Sequence, residues 1–246
     1  MTDRTYGCST FGSMDLPLIT ALEEISLRTD RIEVLSEGLH DLFRYKEDCL
    51  SFSACFSVHA PCSDINLAST RERIRTGSIG VIDDICAICD DINARTLVVH
   101  PGHCAWDPVR DESFSSLMRS LGDLACVQKD HRVKITLENM GSWECCHFRT
   151  PVLLEYIRRH GLGFTLDVGH AHLNNVLEDF TQDGTPDHIH LHDNLGECDD
   201  HAACGSGTID FGKVLINLPE NIPLVLECRD LASYDESVHY LRDLGV

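Results

Sequence analysis

The chain has 246 residues, 43% of them hydrophobic, enough to bury the core of one large domain. Its formal net charge is −20, with 4 Lys beside 16 Arg, and such a surface repels polyanions, so nucleic acid is a disfavoured partner. No apolar run approaches the roughly 20 residues of a membrane helix. Together with an N-terminus (Met1 to Thr5) that has no apolar signal core behind it, this predicts a soluble cytoplasmic protein whose 13 cysteines are mostly reduced.

Short β-rich runs alternate with helical stretches along the chain. Tyr6–Ser9 reads as a first strand, residues 16–29 as a helix and Arg31–Leu35 as strand two. Residues 50–59 (LSFSACFSVH) read as strand three. Ser69 to Glu72 then has the spacing of a capping box, followed by Ile74, Val81, Ile85 and Ile88 at helical intervals. Cys86 and Cys89 form a CxxC inside this helix, where two small buried residues on one face are expected. Arg71, Arg73 and Arg75 come nearest to a basic cluster and are expected as a solvated helix start.

Residues 96–100 (TLVVH) read as strand four, 113–127 as a helix and Lys134–Glu138 as strand five. Thr150 and Pro151 open the next helix, and Gly161 ends it. Gly163–Asp167 reads as strand six, 187–192 as strand seven, 224–227 as strand eight and 233–244 as a closing helix. Eight strands alternating with helices predict a parallel closed sheet, a single (β/α)8 TIM barrel over residues 1–246. An open doubly-wound sheet is the rival, but no GxGxxG follows the first strand. Nucleophile-elbow, P-loop and kinase signatures are absent.

Ligand-type side chains fall at consecutive strand ends: His59 on strand three, His100 on four, Glu138 on five, Asp167 on six, His190 in seven and Glu227 on eight. In a (β/α)8 barrel these ends converge on one mouth, where the active site lies. His170 follows Asp167 by three residues, and the loop after strand seven carries Asp199 and His201, placed to grip one ion from the same side. Imidazole with carboxylate suits zinc, manganese or iron. Nine donors exceed the needs of one ion, while up to three divalent ions sharing carboxylates would use them all. Four carboxylates and three divalent ions sum to about +2, suited to an anionic oxygen. His103, His172, His188, Cys104, Cys198, Cys204 and Trp143 flank these positions as pocket or packing residues.

The motifs VHAP (58–61), VVHPG (98–102), TLENMG (136–141), TLDVGHAH (165–172), HIHLHDN (188–194), DDHAACGSGTIDF (199–211) and LVLEC (224–228) resemble, in order and spacing, the xylose isomerase-like TIM-barrel superfamily, including its endonuclease IV branch. For that branch the resemblance implies three ions. His59, His100 and Glu138 would hold one. Glu138, Asp167, His190 and Glu227 would hold a second, and His170, Asp199 and His201 a third. His192 takes a place where relatives carry Asn or Lys, and Ser206 replaces a Glu. The implied activity is hydrolysis of a sugar-phosphate ester, with abasic DNA as the family precedent. The sugar isomerase and epimerase branch implies one ion on Glu138, Asp167, His190 and Glu227. There Glu138 and Glu227 would serve as acid and base, and His170 would touch substrate.

Overall fold

The computed structural model describes residues 5–219 and 221–245. Its strands are β1 (Tyr6–Ser9), β2 (Arg31–Leu35), β3 (Cys55–His59), β4 (Thr96–Val99), β5 (Lys134–Glu138), β6 (Gly163–Asp167), β7 (His188–Leu191) and β8 (Leu224–Leu226). All pair in parallel in chain order, and β8 closes on β1 through Tyr6 opposite Leu224. The result is the expected closed (β/α)8 barrel.

The helices are α1 (Leu18–Ser26), α2 (Leu42–Leu50), α3 (Glu72–Asp91), α4 (Arg110–Asp130), α5 (Leu154–Arg159), α6 (Val168–Leu173), α7 (Leu177–Asp183), α8 (Phe211–Ile216) and α9 (Leu231–Asp243). In α1 the buried positions Leu18, Ala21, Leu22 and Ile25 fall on one stripe, as a helix covering a sheet requires. In α3 the stripe includes Ile82, Ile85, Cys86 and Cys89, so the CxxC is packing material. All thirteen cysteines are free thiols.

The structure corrects several local expectations. Strand three begins at Cys55, because residues 42–50 form α2, opened by Asp41, whose side chain accepts the Phe43 N–H. The capping box is not made: Ser69 Oγ accepts the N–H of Arg71, and α3 starts at Glu72 with no side-chain cap. Glu72 is engaged by Arg75 instead, at 2.7 Å. Arg75 is therefore not solvated. It is buried and also reaches Asp123 of α4 at 2.6 Å, clamping α3 to α4, while Arg71 and Arg73 are exposed.

Alternation along the strands sorts side chains between the helix layer and the lumen. Ile32, Val34, Ile135, Leu137, Leu166, Ile189 and Leu191 join the apolar core. Their neighbours on the other face are polar and bond to one another: Thr165 Oγ1 donates to Thr136 Oγ1 at 2.7 Å, and Ser57 Oγ to Glu33 Oε2 at 2.8 Å. Glu33 on β2 also reaches His188 on β7, two strands that are not neighbours in the sheet, so this contact crosses the barrel interior.

Candidate metal centre

The barrel mouth gathers all nine expected side chains. His59, Glu138 and Asp167 end β3, β5 and β6, and His190 lies within β7. His100 and Glu227 stand one residue beyond β4 and β8. Asp167 also begins α6: its Oδ1 accepts the His170 N–H at 2.7 Å, which turns the His170 ring into the mouth. Asn139 clamps this corner, its Oδ1 accepting the Asp167 N–H at 2.8 Å and its amide donating to the Asp167 carbonyl at 2.9 Å.

The loop after β7 brings Asp199 and His201 back over the site. Buried Asp193 organises it: Oδ1 accepts the N–H groups of Asn194 (2.9 Å) and Ile209 (3.2 Å), and Oδ2 those of Gly205 (2.9 Å) and Gly207 (2.9 Å). His201 holds a left-handed backbone (φ +44°), an uncommon conformation for a residue other than glycine. The Arg229 N–H to the His201 carbonyl, at 2.9 Å, helps to keep it there.

The donor atoms fall into three adjoining groups. In the first, His59 Nε2, His100 Nε2 and Glu138 Oε2 are each 3.2 Å from the other two. In the second, His190 Nδ1 lies 3.3 Å from Glu138 Oε1, 3.7 Å from Glu227 Oε2 and 3.8 Å from Asp167 Oδ2. In the third, Asp199 Oδ2 is 3.1 Å from His170 Nε2 and 3.2 Å from His201 Nε2. Tetrahedral zinc, with bonds of about 2.0–2.1 Å, sets its donors about 3.3 Å apart. The spacing therefore fits one ion per group, with Glu138 common to the first two.

Electrostatics tell the same story. No Lys or Arg pairs with these carboxylates among the described residues, so imidazoles carry the compensating charge. Burial opposes ionisation of Glu138, yet the charge of His190 and hydrogen bonds from His100, His190 and His59 hold its carboxyl well below 4.5. Burial likewise disfavours imidazolium at His59, but the Glu138 hydrogen bond and charge carry it up to about 9. His170 rises to about 10 against burial, through Asp167 and Asp199, and His201 to about 9, through the Asp199 hydrogen bond. At His100 burial prevails and the ring stays below 6.5. Protons occupy here the place that cations would take. Asp167 Oδ2 and Asp199 Oδ1 are buried with no hydrogen-bond partner, which leaves open acceptors aimed into the groups.

Two residues outside the expected set join it. His192 is wholly buried, and its Nε2 is 3.2 Å from Asp167 Oδ1, within the group of His170, Asp199 and His201. Glu33 forms a further group with His188 and His190 on the lumen side. Of the flanking residues, Trp143 packs edge-on against His170 at 5.6 Å and Phe11 lies 4.3 Å from His201, so the two form aromatic walls. Both line a cavity of 160 Å³ over the donors. His188 lies below the mouth, buried, and His172 bonds Thr208 on the rim. Cys104 and Cys204 are buried, Cys198 is exposed, and none is among the donor groups.

Residues 35–244 match the model of the xylose isomerase-like TIM barrel family. The chain belongs to that family. An uncharacterized protein of Methanocaldococcus jannaschii is 36% identical over 213 residues, 82% of each chain. A probable endonuclease 4 of Mycobacterium tuberculosis is 30% identical over 201 residues, 76% of this chain and 77% of that one. The crystal structure of a D-tagatose 3-epimerase-like protein superposes with a TM-score of 0.86 at 28% identity, covering 98% of this chain and 96% of the other. This family member thus has relatives named for two chemistries on one scaffold, and its own residues must discriminate between them.

Proposed function

We propose that the protein is a divalent-metal-dependent phosphoesterase acting on a small sugar-phosphate ester. One observation carries the reading: three donor groups adjoin at the mouth, and together they include all nine side chains that three ions would use. The imidazole-rich set suits zinc, with manganese and iron compatible. Such ions would supply Lewis acidity, lowering the pKa of a water and neutralising phosphoryl oxygens.

The chain's own residues do the holding. Glu138 presents one oxygen to His59 and His100 and the other to His190, so it spans two groups. Glu227 closes the second group, and His170 faces Asp199 in the third. Phe11 and Trp143 wall the cavity over these donors. A 160 Å³ cavity and a net charge of −20 favour a small substrate over duplex DNA. No helix among the described residues is long and apolar enough to cross a membrane.

A second reading, epimerisation of a small sugar or sugar phosphate, is favoured by Glu138 and Glu227 sharing one four-donor group and by the 28%-identical epimerase-like structure. There the two carboxylates would exchange protons with a sugar carbon. His59, His100, Asp199 and His201 would then have no necessary task.

Metal content and product analysis separate the readings. About three ions per chain with phosphate release from sugar phosphates supports the first, and about one ion with epimer formation supports the second. His201→Ala abolishes the esterase but barely slows a one-ion epimerase. Abasic-site DNA left uncut across a salt series removes the repair role.

A further inference from the structure

A histidine at a metal site presents one nitrogen and needs a partner that keeps the proton on the other. Three mouth histidines use backbone carbonyls. Nδ1 of His59 faces the Ala60 oxygen at 2.9 Å, Nδ1 of His170 the Asn139 oxygen at 2.9 Å, and Nδ1 of His201 the Glu227 oxygen at 2.7 Å. Each therefore turns Nε2 toward the carboxylates.

His190 is oriented the other way. Its Nδ1 faces Glu138, Asp167 and Glu227, and its Nε2 meets Glu33 Oε1 at 2.7 Å. The approach is off-axis for a hydrogen bond, but the carboxylate oxygen lies directly against that nitrogen. Glu33 is wholly buried and reaches His190 through the lumen. Its other oxygen is fixed by Ser57 Oγ at 2.8 Å and His188 Nε2 at 2.8 Å. A carboxylate buried in a barrel core costs several kcal/mol unless its partners compensate. This one has three, and it stands directly behind a donor shared by the central group.

We propose that Glu33 is a positioning residue for the central ion: it keeps the proton on His190 Nε2 and so leaves Nδ1 free as a donor. The inference rests on the metal-dependent reading above. It assigns a task to a residue outside the nine donors and accounts for His190 presenting Nδ1 to the carboxylates in a set that otherwise presents Nε2. Ser57 and His188 then serve to keep Glu33 in place.

The test uses the full chain stripped of metal and titrated with zinc alone. Glu33→Leu removes the acceptor at similar bulk and is expected to weaken one ion by about 10–100-fold while the remaining ions bind as in the wild type. Glu33→Gln keeps one acceptor oxygen and is expected to recover most of that loss. Unchanged zinc affinity and stoichiometry in Glu33→Leu overturns the inference and leaves the metal-dependent reading intact. So does a Glu33→Gln variant no better than Glu33→Leu. A wild-type chain that takes up no zinc overturns both. If the leucine variant does not fold, nitrogen-15 NMR of the zinc-loaded wild type decides. His190 is expected to carry its proton on Nε2 and bind through Nδ1, and a proton on Nδ1 sinks the proposal.

Discussion

His192 lies nearly flat on His201, with ring centroids 4.1 Å apart and planes 24° from parallel. Its Nε2 is 3.2 Å from Asp167 Oδ1 and 3.6 Å from Asp199 Oδ1, and neither of its nitrogens has a hydrogen-bond partner. A buried polar group left unmatched costs about 1–3 kcal/mol, and an ion held with His170, Asp199 and His201 would satisfy this ring. His192→Phe preserves the stack and removes the nitrogens. The expected outcome, read by elemental analysis, is one fewer ion per chain in a protein that still folds cooperatively. Wild-type metal content in this variant removes His192 from the site.

The same ring is held from beneath by Gly169. A β-carbon there would sit 2.0 Å from His192 Cε1 and 2.5 Å from each ring nitrogen. Gly169→Ala must therefore displace the imidazole, although alanine suits the helical backbone. Overpacking of this kind costs about 1–3 kcal/mol. Chemical denaturation should show that loss, and metal analysis should show the deficit expected of His192→Phe, although no donor has been touched.

Asp193 lies outside every donor group, yet four backbone N–H groups converge on its carboxylate. Asp193→Asn substitutes an amide NH2 for one acceptor oxygen and sets donor against donor at two of the four contacts. With about 1–3 kcal/mol for each unmatched buried group, a destabilisation of about 2–6 kcal/mol is expected. Because this loop carries Asp199 and His201, the variant should also lose the third group's ion and expose the loop to limited proteolysis. Wild-type protease resistance would show that other contacts suffice to hold it.

Six of the nine side chains were legible in the sequence because a barrel translates strand ends into one mouth: His59, His100, Glu138, Asp167, His190 and Glu227 lie in or close an apolar run, whereas His170, Asp199 and His201 were read from their spacing in the segments that follow. Glu33 was not legible as part of the centre. RIEVL reads as an ordinary alternating strand, and alternation alone does not say which face is wet. Here the outer face is covered by helices, so the apolar residues Ile32 and Val34 go outward and the acid goes into the lumen. His192 occupies a position where relatives carry other residues, and only three-dimensional packing brings it over Asp167. Helix α2 runs into the start of LSFSACFSVH, and its last residue, Leu50, merges with the strand pattern there. The capping box failed for a related reason, since Glu72 has a stronger partner in Arg75.

The proton inventory of the mouth makes a prediction about pH. His59 and His201 titrate near 9 and His170 near 10 in the metal-free fold, against 6.5 for the free group. A raised histidine pKa stabilises the fold fully below 6.5, and that contribution is lost as pH climbs through 9 to 10. Glu138, Asp167 and Asp199 are shifted down, so their contribution is present above the ordinary carboxylate range and lost on acidification. Metal-free protein should thus be most stable between about pH 5 and 6.5 and should melt at progressively lower temperature toward pH 9–10. Zinc competes with the same protons, so loading should remove the alkaline decline and tighten with rising pH. At pH 7 the uptake of zinc should release protons from His59, His170 and His201, measurable by calorimetry in buffers of different ionisation enthalpy. A metal-free melting temperature that stays level from pH 6.5 to 9 would mean that the carboxylates at the mouth are not held by protonated imidazoles, and zinc uptake would then release no protons.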